Sequence, residues 1–171
     1  IIQQDEAPDY FVIELSLSGS KSVNDVVSII DEFVGKNGAK ISGRVILGLL
    51  YRQYTNGKIT LKHVVKTMDW LIWEDDLTEE ERGFMYGIDE DYDMAVDNVY
   101  GTVEEIEKYV LRVLVLFKDF DIDNFNKWFE INQSIDKEVY ELRKVFRAEN
   151  ERIVEEMRKQ AEVKKPWWKF W

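Results

Sequence analysis

The densest concentration of chemically capable side chains is a run of carboxylates. Residues 74–97 hold Glu74, Asp75, Asp76, Glu79, Glu80, Glu81, Asp89, Glu90, Asp91, Asp93 and Asp97 against one cation, Arg82. In a chain of net charge −11, carboxylates alone do not single out general acid–base chemistry. They could hold a cation, or present a negative surface to a basic partner. The stretch from Phe33 through Met68 contains no acid, and Lys36, Lys40, Arg44, Arg52, Lys58, Lys62 and Lys66 make it basic. The charge is therefore polarised along the chain, a pattern that steers partners more than it sets a fold.

The best metal candidate is Asp119, Asp121, Asp123 and Glu130, acids at positions 1, 3, 5 and 12 of a twelve-residue stretch, the ligand spacing of a calcium loop. It departs from that pattern in three places. Asn124 stands where the sharp turn needs glycine, Asn126 replaces an apolar residue and Lys127 follows it. The same aspartates could instead cap the following helix against its dipole. Asp89 to Asp93 is a weaker version, with Met94 at the turn and Tyr100 in place of the last acid. The expectation is no cofactor, with calcium as the outside alternative.

Other chemistries are excluded by composition. The chain has no cysteine and one histidine, His63, so thiolate, disulfide and multi-histidine metal sites are absent. No glycine-rich phosphate loop, H-E-x-x-H or G-x-S-x-G occurs. We therefore expect a non-enzymatic protein. Asn56 to Val65 resembles the first helix of a helix-turn-helix, with 36–66 as contact surface, but the next helix would begin in Glu79-Glu80-Glu81, which phosphate repels. Direct nucleic-acid binding is not expected.

The end of the sequence, Lys164-Lys-Pro-Trp-Trp-Lys-Phe-Trp171, places Trp167, Trp168, Phe170 and Trp171 among three lysines after a helix-ending Pro166. These rings could pack back on the body, anchor a protein partner, or sit at a membrane interface. A body of charge −11 argues against an anionic leaflet.

These groups need elements to position them. The 171 residues suit one domain, and at 45% hydrophobic and 13% aromatic the chain can build a core. Asp9 to Leu17 reads as one strand or extended arm. Ser22 or Asn24 caps a helix to Val34, a second runs from about Ser42 to Tyr54 with Gly43 and Gly48 against it, and Thr60 caps a third to about Trp73. That third helix buries Leu61, Val64, Val65, Met68, Leu71 and Ile72. A short helix follows Thr78, Asp89 to Asp93 reads as loop or first turn, and Thr102-x-x-Glu105 is a capping box opening a helix to Phe117. From Asn124 to Val163 the apolar residues Trp128, Ile131, Ile135, Val139, Leu142, Phe146, Ile153 and Met157 mark one long amphipathic helix that could project or pair with a second copy.

The expected fold is mainly α, with five or six helices, one short N-terminal strand or extended arm and a long C-terminal helix. The expected divisions are an acidic body at 1–123, the long helix at 124–163 and the aromatic-basic tail at 164–171. No 18-residue apolar run and no basic-then-apolar leader is present, so the expected setting is cytoplasmic. A composition rich in Lys, Asn, Ile and Asp, with only two prolines, suggests a low-GC bacterium or its phage. The leading functional expectation is an inhibitor, immunity or anti-defence protein whose carboxylates occupy a basic, nucleic-acid-type cleft of another protein. The alternative is an assembly or scaffolding chaperone working through the long helix and the aromatic tail.

Overall fold

The computed structural model describes residues 21–34, 41–73 and 77–163. The expected strand at 9–17, residues 74–76 and the tail at 164–171 lie outside the described residues. Seven α-helices, two 3-10 segments and no strand make up the described residues.

Helix α1 (Val23–Val34) starts at Ser22, whose hydroxyl accepts from the Asp25 backbone N–H at 3.3 Å while the Asp25 carboxylate accepts from the Ser22 backbone N–H at 3.1 Å. The Ser22 hydroxyl and backbone N–H hold the Asp25 carboxyl below its ordinary range. Helix α2 (Ile41–Thr55) lies at the centre, against α1, α3, α6 and α7. Every residue from Ile41 to Gly48 is buried, so the first half of α2 has no polar face and little periodic signature. Gly48 is the price of that position. A Cβ there would stand 2.6 Å from the Phe117 carbonyl oxygen and closer still to that of Phe120. A residue with poor helix propensity thus lets the backbone after α6 lie directly on α2.

Helix α3 (Leu61–Leu71) is capped by Thr60, which accepts from the His63 N–H at 3.3 Å. All six apolar residues expected to face its core are buried, while His63 is exposed. Helix α4 (Glu79–Arg82) is one turn closed by a capping box between Thr78 and Glu81. The acidic stretch after it is helical too: α5 (Ile88–Val96) begins at Gly87 in the left-handed region (φ 76°) and packs on α3 and α6. Of the two expectations for 89–93, loop or first turn, the second holds: Asp89, Glu90 and Asp91 lie in the first turn of α5. Ile88, Tyr92 and Ala95 form the inward stripe of α5, Asp89 is half-buried beside it, and Glu90, Asp91 and Asp93 occupy its outside.

Helix α6 (Val103–Leu114) opens with the capping box expected at Thr102 and Glu105 and ends in a 3-10 turn, Val115–Phe117. A second 3-10 segment, Ile122–Lys127, precedes α7 (Trp128–Val163), which therefore starts four residues later than the spacing predicts. Trp128 is buried and donates its indole N–H to the Asp121 carbonyl at 3.0 Å. Ile135, Val139 and Phe146 are buried in the body, flanked by Ile131 and Leu142. Beyond the Arg112–Glu149 ion pair (3.0 Å) every residue from Asn150 to Gln160 is exposed. The 36 residues of α7 span about 54 Å, so its last turns reach past the packed body of the described residues. None of the described helices is long and apolar enough to cross a membrane.

Candidate functional site

The structure divides the acidic run by role. Glu79 and Glu80 are exposed on α4. Glu81, expected beside them on the surface, is 0% exposed. Its Oε1 accepts from Arg44 Nε at 2.6 Å, and its Oε2 accepts from the Thr78 N–H at 2.7 Å. Arg44 is 1% exposed and donates further to the Asn132 side chain at 2.6 Å and to Asp136. A guanidinium has five donors in a planar fork, which suits it to join three elements at once. Here it ties α2 to α4 and to the first turns of α7. Glu81 is therefore a structural carboxylate, and a buried cation compels its burial.

On α5 the acids split again. Asp89 accepts from Lys66 Nζ at 2.5 Å, and Asp93 lies 3.8 Å from the same ammonium. The hydrogen bond to Asp89 raises the Lys66 pKa, partly opposed by desolvation. Glu90, Asp91 and Asp97 are exposed, as is most of Asp93. Glu90, Asp93 and Asp97, spaced by three and four, form one stripe along the outside of α5. Glu104 and Glu105 continue the acidity into the first turn of α6. Part of this density has a local cause, because α4, α5 and α6 each carry acids in the first turn, where the helix dipole favours them. Glu74, Asp75 and Asp76 lie outside the described residues.

Three of the five described cations of the basic stretch are paired with acids of the same chain. Arg44 is buried, Arg52 pairs with Asp121 across α2 and the segment before α7, and Lys66 serves α5. Lys58 and Lys62 are exposed, and Lys36 and Lys40 lie outside the described residues. The helix after α3 in the described chain is a single turn, too short to serve as a recognition helix.

The calcium spacing at 119–130 takes the form of a 3-10 segment running into α7. Asp119 and Glu130 are exposed, the Asp121 carboxylate is engaged by Arg52, and the Asp123 side chain lies outside the described ones. Among the described residues no group of three His, Asp or Glu side chains is placed to hold a metal ion.

One concave site adjoins the acidic face, with a volume of about 410 Å³. Its walls include Phe84, Tyr86, Tyr100 and Tyr109, with Asp91 and Glu105 among the lining residues and Ile153 reaching in from α7. Two of the lining rings, Phe84 and Tyr109, belong to an aromatic cluster with Phe146 behind them. Tyr109 stacks on Phe146 with centroids 5.0 Å apart, Phe84 meets Phe146 edge-on at 5.6 Å, and the Tyr109 hydroxyl donates to the Phe84 carbonyl at 2.7 Å. Burial pushes the Tyr109 pKa up to about 12, with Arg143 opposing and Asp91 adding to the rise. Tyr86 and Tyr100 were not singled out by spacing. The available signal is that each directly precedes a left-handed glycine, Gly87 (φ 76°) and Gly101 (φ 69°), at the entry to a helix. Trp73, 79% exposed, closes the described part of the chain before the acidic run. Trp167, Trp168, Phe170 and Trp171 lie outside the described residues.

No protein-family model matches this chain, and comparison with curated proteins and with solved structures finds no match either.

Proposed function

We propose that the chain is a non-enzymatic protein that binds another, basic protein through the carboxylate face carried by α4, α5 and the start of α6. The observation that supports this reading is the set of exposed acids Glu79, Glu80, Glu90, Asp91, Asp93, Asp97, Glu104 and Glu105 on three consecutive helices. Carboxylates three or four apart on a helix stand about 5–6 Å from one another, a repeat that can imitate a run of phosphates. Opposite fields speed association and fix orientation, so the face suits a cleft that otherwise holds nucleic acid. An inhibitor or immunity protein for a nuclease, or an anti-defence protein, works in this manner.

The test is capture from a nuclease-treated lysate of a low-GC bacterial host, followed by affinity measurements on the recovered protein. A basic partner whose affinity falls roughly tenfold or more between 50 and 300 mM salt, and which nucleic acid displaces, supports the reading. Affinity that ignores salt refutes it.

One observation favours a second reading, an assembly or scaffolding role. Val154 and Met157 are both exposed near the end of α7, away from the cavity that Ile153 lines. In that case Val154→Glu with Met157→Glu abolishes association, and neutralising the carboxylates of α5 does not.

A further inference from the structure

We infer that the cavity beside the acidic face receives an arginine side chain of the basic partner. This rests on the acidic-face reading above and names the contact that makes it specific. Three observations carry it.

The first is the lining. Four aromatic rings and two carboxylates converge on about 410 Å³, toward the small end of the range of ligand sites. A guanidinium stacks on an aromatic face and pairs with a carboxylate at its edge, and arginine does both better than lysine.

The second is a precedent within the chain. Arg112 already sits 4.5 Å from the centroid of Phe146, and Arg143 lies 5.6 Å from that of Phe84. The aromatic cluster behind the cavity wall thus carries guanidinium groups on Phe146 and Phe84. These two cations have other duties, since Arg112 pairs with Glu149 and Arg143 donates to the Gly83 carbonyl at 2.8 Å. Tyr86 and Tyr100 are the exposed rings of the same site.

The third is charge. The Asp91 carboxylate makes no hydrogen bond or ion pair with the described residues, so it is available at the rim. Glu105 is partly committed, one oxygen accepting from the Thr102 N–H at 3.0 Å. An incoming cation therefore meets one uncommitted carboxylate and one shared one.

The experiment is an amide chemical-shift titration of the full chain with N-acetyl-arginine amide, using the isosteric but neutral N-acetyl-citrulline amide as control. The expected result is a saturable shift centred on Tyr86, Asp91, Tyr100, Gly101 and Glu105 with the arginine probe alone. Affinity should fall about threefold or more in Tyr100→Ala, which keeps every carboxylate, and similarly in Asp91→Asn. Because Tyr100 is exposed, its variant should fold as the parent does. Shifts that do not saturate, that the citrulline probe reproduces, or that Tyr100→Ala leaves unchanged overturn the inference. In those cases a partner capture that still depends on salt leaves the acidic-face reading standing, while a capture indifferent to charge removes both.

Discussion

The Arg44 guanidinium and the Glu81 carboxylate meet at 2.6 Å inside the helical body, both shielded from water. Their meeting draws the third of three adjacent glutamates into the core while Glu79 and Glu80 stay outside. Breaking a buried pair leaves an uncompensated charge, which costs on the order of 3 kcal/mol. Glu81→Gln should therefore lower the urea-unfolding free energy by about that amount, and Glu79→Gln or Glu80→Gln by less than ~0.5 kcal/mol. Equal effects at all three positions would contradict the burial of Glu81. A variant neutralising 79, 80 and 81 together would confound folding with binding, so binding tests belong on α5.

The contact at Gly48 makes a prediction opposite in sign to helix propensity. Alanine is favoured over glycine in a helix interior by about 1 kcal/mol. Here its methyl would collide with two backbone carbonyls, which cannot swing aside as a side chain can. Gly48→Ala should destabilise by roughly 1–3 kcal/mol in the same denaturation experiment. A stabilised variant would mean that the Phe117–Phe120 turn does not lie on α2.

Two tyrosines should titrate late. Burial, and for Tyr54 a 2.6 Å hydrogen bond to Glu107, push the pKa of Tyr54 and Tyr109 up to about 12. Because the folded values lie above the unfolded value near 10, the neutral rings contribute stability that is complete below about pH 10 and is lost as pH rises through about 12. Absorbance at 295 nm should show a late fraction that Tyr54→Phe and Tyr109→Phe each reduce. Titration of every tyrosine near pH 10 would contradict both placements.

Calcium should leave the melting temperature unchanged. Arg52 already engages the Asp121 carboxylate, and a cation binding there would have to displace it. Binding to the folded state alone must raise the melting temperature, so a rise on adding millimolar calcium would restore the metal reading.

Hydrogen exchange should follow the packing of α7. Its last buried residue among the described side chains is Phe146, followed by the Arg112–Glu149 pair and by Ile153 at the cavity wall. Amides near Val139 should be protected to near the global unfolding free energy, and those beyond Asn150 much less. Uniform protection along the helix would show that a second molecule covers its far end.

Much of this architecture is written in local sequence. The helix start at Thr78, the Thr102 capping box, the buried stripe of α3 and the α7 stripe as far as Phe146 follow from spacing alone. What is not legible has a common cause, namely contacts between residues far apart in the chain. Glu81 differs from Glu79 and Glu80 only through Arg44, 37 positions away. The first half of α2, Ile41 to Gly48, is buried on every side, so Gly48 looks like a break when it is a clearance. In α5 the acids obscure Ile88, Tyr92 and Ala95, whose spacing of four and three was the helical signal. The α7 stripe continues evenly past Phe146, and sequence does not say where the body beneath it stops.

The most direct test compares three forms in one capture experiment: the full chain, a variant carrying Glu90→Gln, Asp91→Asn, Asp93→Asn and Asp97→Asn, and a deletion of residues 164–171. All four substitutions are on exposed positions, so the variant should remain folded. A basic partner recovered by the full chain and by the deletion, and lost from the neutralised variant, is the predicted result. A partner kept by the neutralised variant and lost with the deletion would contradict the acidic-face account.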